Sequence, residues 1–151
     1  VYDFCNRVGI RQGTRIDDYI MKKVMKSTPE DDPEAFDRAS PVCWVDSEVP
    51  PLFLIHGSHD TLVWVEEARR FVAELSAVSS TSLVYAELQG AQHAFETVHS
   101  PRTSHYLNAA AWWLEWITQL RSLIQLLAGL TQVDHQIVVL TERILEHLKF
   151  H

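Results

Sequence analysis

The chain has 151 residues, of which 46% are hydrophobic and 22% charged, and its net charge is −7. This length fits one globular domain, and the composition is not that of a disordered chain. The negative charge argues against a nucleic-acid surface, because phosphate binding needs clustered Lys and Arg. The sequence shows neither a signal peptide nor a run of 18 apolar residues, so we expect a cytoplasmic protein without a membrane span.

The N-terminal third is predicted to be loop and helix. Apolar residues recur at helical spacing from Ile16, which predicts an amphipathic helix that ends before Pro29. An acidic, proline-rich turn follows. One or two further helical turns are expected from Glu34 to Ala39, with Pro33 at the first helical position.

The middle of the chain predicts a strand, a helix and a second strand. Leu52 to Ile55 is continuously apolar, as expected of a strand that is covered on both faces in a parallel sheet. A helical pattern runs from Trp64 to Val78, and Ser82 to Leu88 predicts the second strand. A βαβ unit makes its two strands parallel, so both end at the same edge. Charged residues of the helix fall outside its apolar stripe: Glu66, Glu67, Arg69, Arg70 and Glu74.

The C-terminal part is predicted to form two helices. The first is expected from Ser104 to Ala128, with Gly129 breaking the pattern, and the second from about Asp134 to Lys149. Three tryptophans recur at helical spacing in the first of these helices, which is typical of core or interface packing: Trp112, Trp113 and Trp116.

Two titratable side chains follow the ends of the predicted strands. Asp60 lies just after the first strand, and His93 follows the turn at Gly90. Ligands bind at this edge of open α/β sheets, where an aspartate can orient a histidine that acts as general base and then general acid. Each residue also has an ordinary interpretation, Asp60 as the cap of a helix that starts near Val63 and His93 as a surface loop residue. Their occurrence on adjacent strand ends favours the functional interpretation.

A metal site is an alternative use of the same segment. His56 and His59 have a His-x-x-His spacing, and Asp60 or His93 could complete a ligand set. Zinc sites need three or four ligands in a firm geometry, and the intervening Gly-Ser supplies none. We therefore predict no metal and no cofactor, and expect His56 to pack at the end of the strand.

A nucleophile is not recognisable in these residues. A serine on a strand-to-helix elbow needs Gly-x-Ser-x-Gly, and neither that pentapeptide nor a His-Gly-Gly oxyanion motif occurs in the sequence. Ser58 is the only serine inside the expected site. We interpret it as a loop hydroxyl that supports Asp60.

Two segments resemble a known family. Pro51 to Val63, Pro-Leu-Phe-Leu-Ile-His-Gly-Ser-His-Asp-Thr-Leu-Val, and the later Gly-Ala-Gln-His-Ala-Phe around His93 resemble the C-terminal part of an α/β-hydrolase, most of all the hormone-sensitive-lipase-like esterases and lipases. The resemblance covers residues 1–118 and implies parallel strands with flanking helices. It also implies that Asp60 is the acid and His93 the histidine of a Ser-His-Asp triad that acts on small ester substrates.

The same resemblance predicts what the chain does not contain. The serine and the oxyanion motif of the family would precede Val1, so we expect a chain without its nucleophile that is inactive alone. Residues 119–151 are expected to be a helical extension, through which we expect a homodimer. Two alternatives stay open: a prolyl-oligopeptidase-like serine peptidase, which shares the acid and histidine turns, and a non-catalytic module in which the C-terminal helices bind a partner.

Overall fold

The computed structural model describes residues 1–11 and 15–148, with the side chains of the last helix described up to residue 129. The chain divides into two compact units, Val1–Ser104 and His105–His151. This division reflects how compactly each part folds. The boundary expected after residue 118, between the hydrolase-like part and the helical extension, stays a prediction.

The first unit begins with helical segments, continues with a strand, a helix and a second strand, and contains the start of the last helix. We number the elements in chain order: α1 (Arg15–Tyr19), continued by a π-helical segment (Ile20–Met25), α2 (Pro33–Ala39), a 3₁₀ turn (Pro41–Trp44), β1 (Leu52–Gly57), α3 (Val65–Val78), β2 (Leu83–Leu88), a second 3₁₀ turn (Phe95–Thr97) and α4 (Pro101–Leu148). The two helices expected before β1 are confirmed. Pro33 starts α2, and the Asp32 side chain accepts a hydrogen bond from the Ala35 N–H, which caps the helix.

The parallel βαβ unit is confirmed. β1 and β2 pair in register from Leu52 opposite Leu83 to Gly57 opposite Leu88, so both strands end at one edge. The expectation that Leu52 to Ile55 is fully covered is wrong for the described residues, because each of these side chains is only half-buried. The described sheet has two strands, and a strand with a single neighbour is covered less than one inside a wide sheet.

Apolar packing fixes the segments that precede the sheet. Ile16, Ile20 and Phe36 form a buried cluster. Partly buried side chains from the chain start and from the π-helical segment pack around it: Val1, Phe4, Cys5, Met21 and Met25. Burying apolar surface in this way supplies the main stabilisation of such a small unit.

A buried ion pair ties the N-terminal segment to α3. Arg11 is fully buried and its Nη1 lies 2.6 Å from Oε1 of Glu67, whose side chain is 3% exposed. Burial lowers the pKa of Arg11, but the carboxylates of Glu67 and Asp17 more than offset this, so the pKa is raised and the side chain stays charged. The expectation that Glu67 lies outside the buried face of α3 is therefore wrong, since helical periodicity contains no information about a distant cation.

The second unit begins within α4, which runs unbroken from Pro101 to Leu148. The expected break at Gly129 is wrong, because glycine inside a helix costs only about 1 kcal/mol relative to alanine and leaves every backbone hydrogen bond available. Lys149, the expected end of the last helix, lies outside the described residues. Trp112 and Trp116 are 72% and 53% exposed, so neither fills a core in the described chain. Across residues 1–11 and 15–148, no helix has both the length and the apolarity that crossing a membrane requires.

Candidate active site

Hydrogen bonds join the turns that follow β1 and β2. The Ser58 N–H donates to the Leu88 carbonyl (3.0 Å), and the His59 N–H donates to the Ala91 carbonyl (3.0 Å). The Ser58 hydroxyl accepts from the Gly90 N–H at 2.9 Å and contacts Nδ1 of His59 at 3.0 Å. The expectation that Ser58 supports Asp60 is wrong, because its hydroxyl is committed to these contacts and binds the second turn to the first.

Gly57 allows the two turns to approach each other. A Cβ atom at this position would lie 2.4 Å from the Ala91 carbonyl oxygen, which is far inside van der Waals contact. Only glycine fits there without moving the second turn. The backbone of β1 thus sets how close the segment that contains His93 can come.

The two carboxylate oxygens of Asp60 have different partners. Oδ1 accepts the N–H groups of Leu62 (2.9 Å) and Val63 (2.8 Å), while Oδ2 lies 2.8 Å from Nδ1 of His93. Asp60 is 9% exposed. The capping interpretation is confirmed, although the capped backbone is the turn before α3 rather than the helix itself, which begins at Val65. The second oxygen makes the expected contact with His93, and the catalytic role of the pair stays a prediction.

His93 is oriented by this contact. A neutral imidazole has a single N–H, so donating from Nδ1 to Asp60 leaves the lone pair on Nε2. Nε2 has no hydrogen-bond partner among the described residues, and the side chain is 45% exposed. The next residue, Ala94, has a φ of 54°, a left-handed conformation that costs a residue with a Cβ about 1–2 kcal/mol. The turn thus holds the imidazole with its basic nitrogen accessible.

A cavity of about 190 Å³ lies at the Asp60–His93 pair. Tyr2, Ile55 and His56 line it together with the pair. A second hollow of about 530 Å³ is lined by residues from Gly90 to Thr103, and His93 borders both. The first space is smaller than a typical pocket for a whole organic ligand, so it suits a small reacting group.

The structure does not bring His56 and His59 together as metal ligands. His56 is buried, with Nε2 2.8 Å from the Val63 carbonyl and Nδ1 3.1 Å from the hydroxyl of Tyr2. His59 is exposed. In the described ranges no three His, Cys, Asp or Glu side chains form a group that could hold a metal ion. The contact with Tyr2 was not foreseen from the sequence, because no motif connects the chain start with the end of β1.

Comparisons with known proteins place the chain in a family. A family model described as the prolyl oligopeptidase family matches residues 8–120. Two esterases of Mycobacterium tuberculosis are similar in sequence. Esterase LipC is 36% identical over 121 residues, covering 80% of this chain and 30% of LipC, and esterase LipQ is 35% identical over 103 residues, covering 68% of this chain and 24% of LipQ. The chain thus spans less than a third of the length of either relative.

A solved structure shares the fold. The native form of esterase Est2 from the planctomycete Thermogutta terrifontis aligns with a TM-score of 0.51 and 17% identity, over 73% of this chain and 38% of that chain. At this identity the likeness concerns the fold alone. Together with the parallel βαβ unit, these matches confirm the resemblance seen in the sequence: the chain belongs to the prolyl oligopeptidase family of the α/β-hydrolases, and its relatives LipC and LipQ are esterases.

Proposed function

We propose that this chain supplies the acid and the base of a Ser-His-Asp ester hydrolase, with Asp60 as the acid and His93 as the base. The observation that carries the proposal is the 2.8 Å contact between Oδ2 of Asp60 and Nδ1 of His93, which leaves Nε2 as a partly exposed base. The names of the relatives LipC and LipQ support an ester as the substrate class.

The proton moves through one nitrogen of His93. As a serine oxygen attacks the ester carbonyl carbon, Nε2 takes the hydroxyl proton, and it then returns that proton to the leaving alkoxide. Water then gives a proton to Nε2 and attacks the acyl carbon of the acyl-enzyme. The bond from that carbon to the serine oxygen breaks, Nε2 returns the proton to the serine oxygen, and the acid is released. Asp60 stabilises the imidazolium that forms in both halves.

The serine is supplied by a segment outside these 151 residues. The sequence contains no Gly-x-Ser-x-Gly, and Ser58, the serine nearest the pair in sequence, has its hydroxyl on the Gly90 N–H and His59. Without a nucleophile and an oxyanion hole, the pair loses the main contributions to rate. The chain alone is therefore expected to hydrolyse p-nitrophenyl acetate no faster than free imidazole does.

A peptidase is the second candidate, favoured by the family model that matches residues 8–120. Peptidases and esterases of this superfamily use the same acid and base, so Asp60 and His93 do not separate the two. The substrate does: an esterase cleaves p-nitrophenyl esters and leaves peptidyl p-nitroanilides intact.

A hybrid enzyme tests the proposal. In it, this chain replaces the aligned part of LipC, so that the remainder of an esterase surrounds the Asp60–His93 pair. We expect the hybrid to hydrolyse p-nitrophenyl butyrate and the chain alone not to do so. A folded hybrid with no esterase activity would contradict the proposal. Activity of the chain alone that disappears in His93→Ala would refute the external nucleophile.

A further inference from the structure

His56 is a buried imidazole with both ring nitrogens engaged. It is the second-last residue of β1 and is 7% exposed, and its Nε2 lies 2.8 Å from the carbonyl oxygen of Val63. Its Nδ1 lies 3.1 Å from the hydroxyl of Tyr2. Simple packing at a strand end does not require either contact, since an apolar side chain would fill the same space without polar groups to satisfy.

These two partners fix the tautomer of His56. A carbonyl oxygen can only accept, so Nε2 carries the proton and donates it to Val63. Nδ1 then holds the lone pair and accepts the O–H of Tyr2. Burial raises the pKa of Tyr2 to about 12, so this hydroxyl keeps its proton near neutral pH.

Val63 connects His56 to Asp60. Its carbonyl accepts from His56, and its N–H donates to Oδ1 of Asp60 at 2.8 Å, so one peptide segment is held on both sides. His56 Nε2 also lies 3.6 Å from Oδ2 of Asp60, the oxygen that contacts His93. The position of the Asp60 carboxylate therefore depends on the position of the His56 imidazole.

Tyr2 is itself firmly held. Its ring stacks on that of Phe71 with centroids 5.3 Å apart, and its backbone N–H donates to Oε2 of Glu67 at 3.0 Å. Both partners belong to α3. Because Tyr2 is held by these contacts, its hydroxyl can fix the orientation of the His56 imidazole.

We propose that Tyr2 and His56 are positioning residues for the proposed reaction: through Val63 they hold the Asp60 carboxylate at the place where it orients His93. Neither residue exchanges a proton with the substrate. This inference rests on the proposed function for its catalytic meaning, but its structural content can be measured in the chain alone.

Nitrogen-15 NMR of the chain tests it without any activity. Long-range ¹H–¹⁵N spectra distinguish the two tautomers of each histidine, and the proton on Nδ1 of His93 should resonate far downfield because it is bonded to a carboxylate. We expect the Nε2–H tautomer for His56 and the Nδ1–H tautomer for His93. An Nδ1–H tautomer for His56 would overturn the proposal.

Variants then separate positioning from packing. His56→Phe keeps a ring but loses both nitrogens, and we expect the downfield proton of His93 to disappear or move upfield while circular dichroism stays native. His56→Gln restores an N–H near the Val63 carbonyl and should recover the signal. His59→Phe is the matched control, since this exposed imidazole, three positions after His56, has Ser58 as its one hydrogen-bond partner among the described residues. It should leave the signal unchanged.

An unchanged His93 signal in a folded His56→Phe chain would overturn the inference. If His56→Phe does not fold, Tyr2→Phe decides, because it removes one oxygen and keeps the ring that stacks on Phe71. Altered ¹⁵N shifts of His56 together with a weakened His93 signal support the proposal, and unchanged spectra refute it. If the hybrid enzyme is inactive but the chain shows the expected tautomers and the expected changes of the His93 signal, only the proposed function is refuted.

Discussion

Nδ1 of His93 lies 2.8 Å from Oδ2 of Asp60, although 33 positions separate the two residues in the chain. Parallel pairing of β1 and β2 brings the two turns to one edge, and the absence of a side chain on Gly57 lets them approach each other. The other oxygen of Asp60 caps its own turn, so this residue combines a structural role with the catalytic role that we propose for it.

Substitutions at Asp60 should separate these two tasks. Asp60→Asn keeps an oxygen that can accept from Leu62 and Val63, so the melting temperature should change little, but the amide no longer stabilises an imidazolium. In the LipC hybrid we expect kcat to fall by about 10⁴-fold. Asp60→Ala should lose activity and also cost about 1 kcal/mol of unfolding free energy, because both turn N–H groups lose their acceptor.

Urea unfolding of the chain and kcat of the hybrid provide the two measurements. Asp46→Asn is the matched control, because within the described part of the chain this exposed carboxylate accepts a single hydrogen bond, from the Glu48 N–H. Equal loss of stability in Asp60→Asn and Asp60→Ala would show that the amide cannot take over the capping role.

Adding one methyl group at Gly57 should separate the turns. Gly57→Ala places a Cβ against the Ala91 carbonyl, and overpacking of this kind costs about 2 kcal/mol. We expect a lower melting temperature. In ¹H–¹⁵N spectra the proton on Nδ1 of His93 should move upfield, because its hydrogen bond to Asp60 is weaker. Gly129→Ala is the control, since no atom of the described residues beyond the adjacent helix backbone lies within 4 Å of an added Cβ there, and alanine favours the helix. Equal melting temperatures for Gly57→Ala and the wild type would refute the close approach.

The buried pair of Arg11 and Glu67 should be sensitive to loss of one partner. Glu67→Gln removes the negative charge that faces the buried guanidinium of Arg11. We expect a loss of about 3–5 kcal/mol in unfolding free energy. The neighbouring Glu66→Gln disrupts an exposed pair with Arg69 and should cost less than about 1 kcal/mol. Urea unfolding measures both, and similar costs for the two variants would contradict the burial of Glu67.

Alkaline pH should destabilise the chain through Tyr2. Burial raises the pKa of Tyr2 to about 12 in the folded chain, above the ordinary value of 10.0. The unfolded chain then releases this proton first, so stability is intact below pH 10 and falls as the pH rises toward 12. Tyr2→Phe should make the decline between these pH values shallower, measured by thermal unfolding. Tyr19→Phe, at a 58% exposed site, should leave the slope unchanged, and a wild-type slope in Tyr2→Phe would contradict the prediction.

The homodimer expected from the sequence would form through the exposed apolar side chains of α4. Leu123 and Leu127 are 55% and 52% exposed and lie one helical turn apart. If the helices of two chains pair there, replacing both leucines with Glu should lower the mass measured by light scattering from dimer to monomer. Ser122→Glu adds charge beside them and should leave the mass of the dimer unchanged. A monomeric wild type would refute the homodimer.

Local patterns were sufficient for the elements that position the site. The apolar run of β1, the helical spacing of α3 and the Gly turns predicted the edge at which Asp60 and His93 meet, because a βαβ unit has essentially one handedness. Capping and catalytic interpretations of Asp60 could not be separated from the sequence, since each uses one oxygen of the same carboxylate.

Contacts between the N-terminal segment and the βαβ unit were not predictable. Glu67 is buried against Arg11, and Nδ1 of His56 contacts the hydroxyl of Tyr2, yet no periodicity connects these pairs. The length of α4 was also misjudged, because a single glycine lowers helix propensity without ending a helix when both flanks continue the pattern. The local spacing of residues indicates the propensity of a segment for a helix or a strand, whereas these features arise from packing between segments.

The most direct test of the central claim is the rate of p-nitrophenyl butyrate hydrolysis by the LipC hybrid that carries His93→Ala. We expect kcat/KM to fall by at least about 10³-fold relative to the unmodified hybrid, because the proposed mechanism assigns the proton of the nucleophile to His93. His99→Ala, an exposed histidine six positions further along the chain, should retain full activity. A His93→Ala hybrid that is folded and as active as the His99→Ala hybrid would contradict the role of His93 as the base.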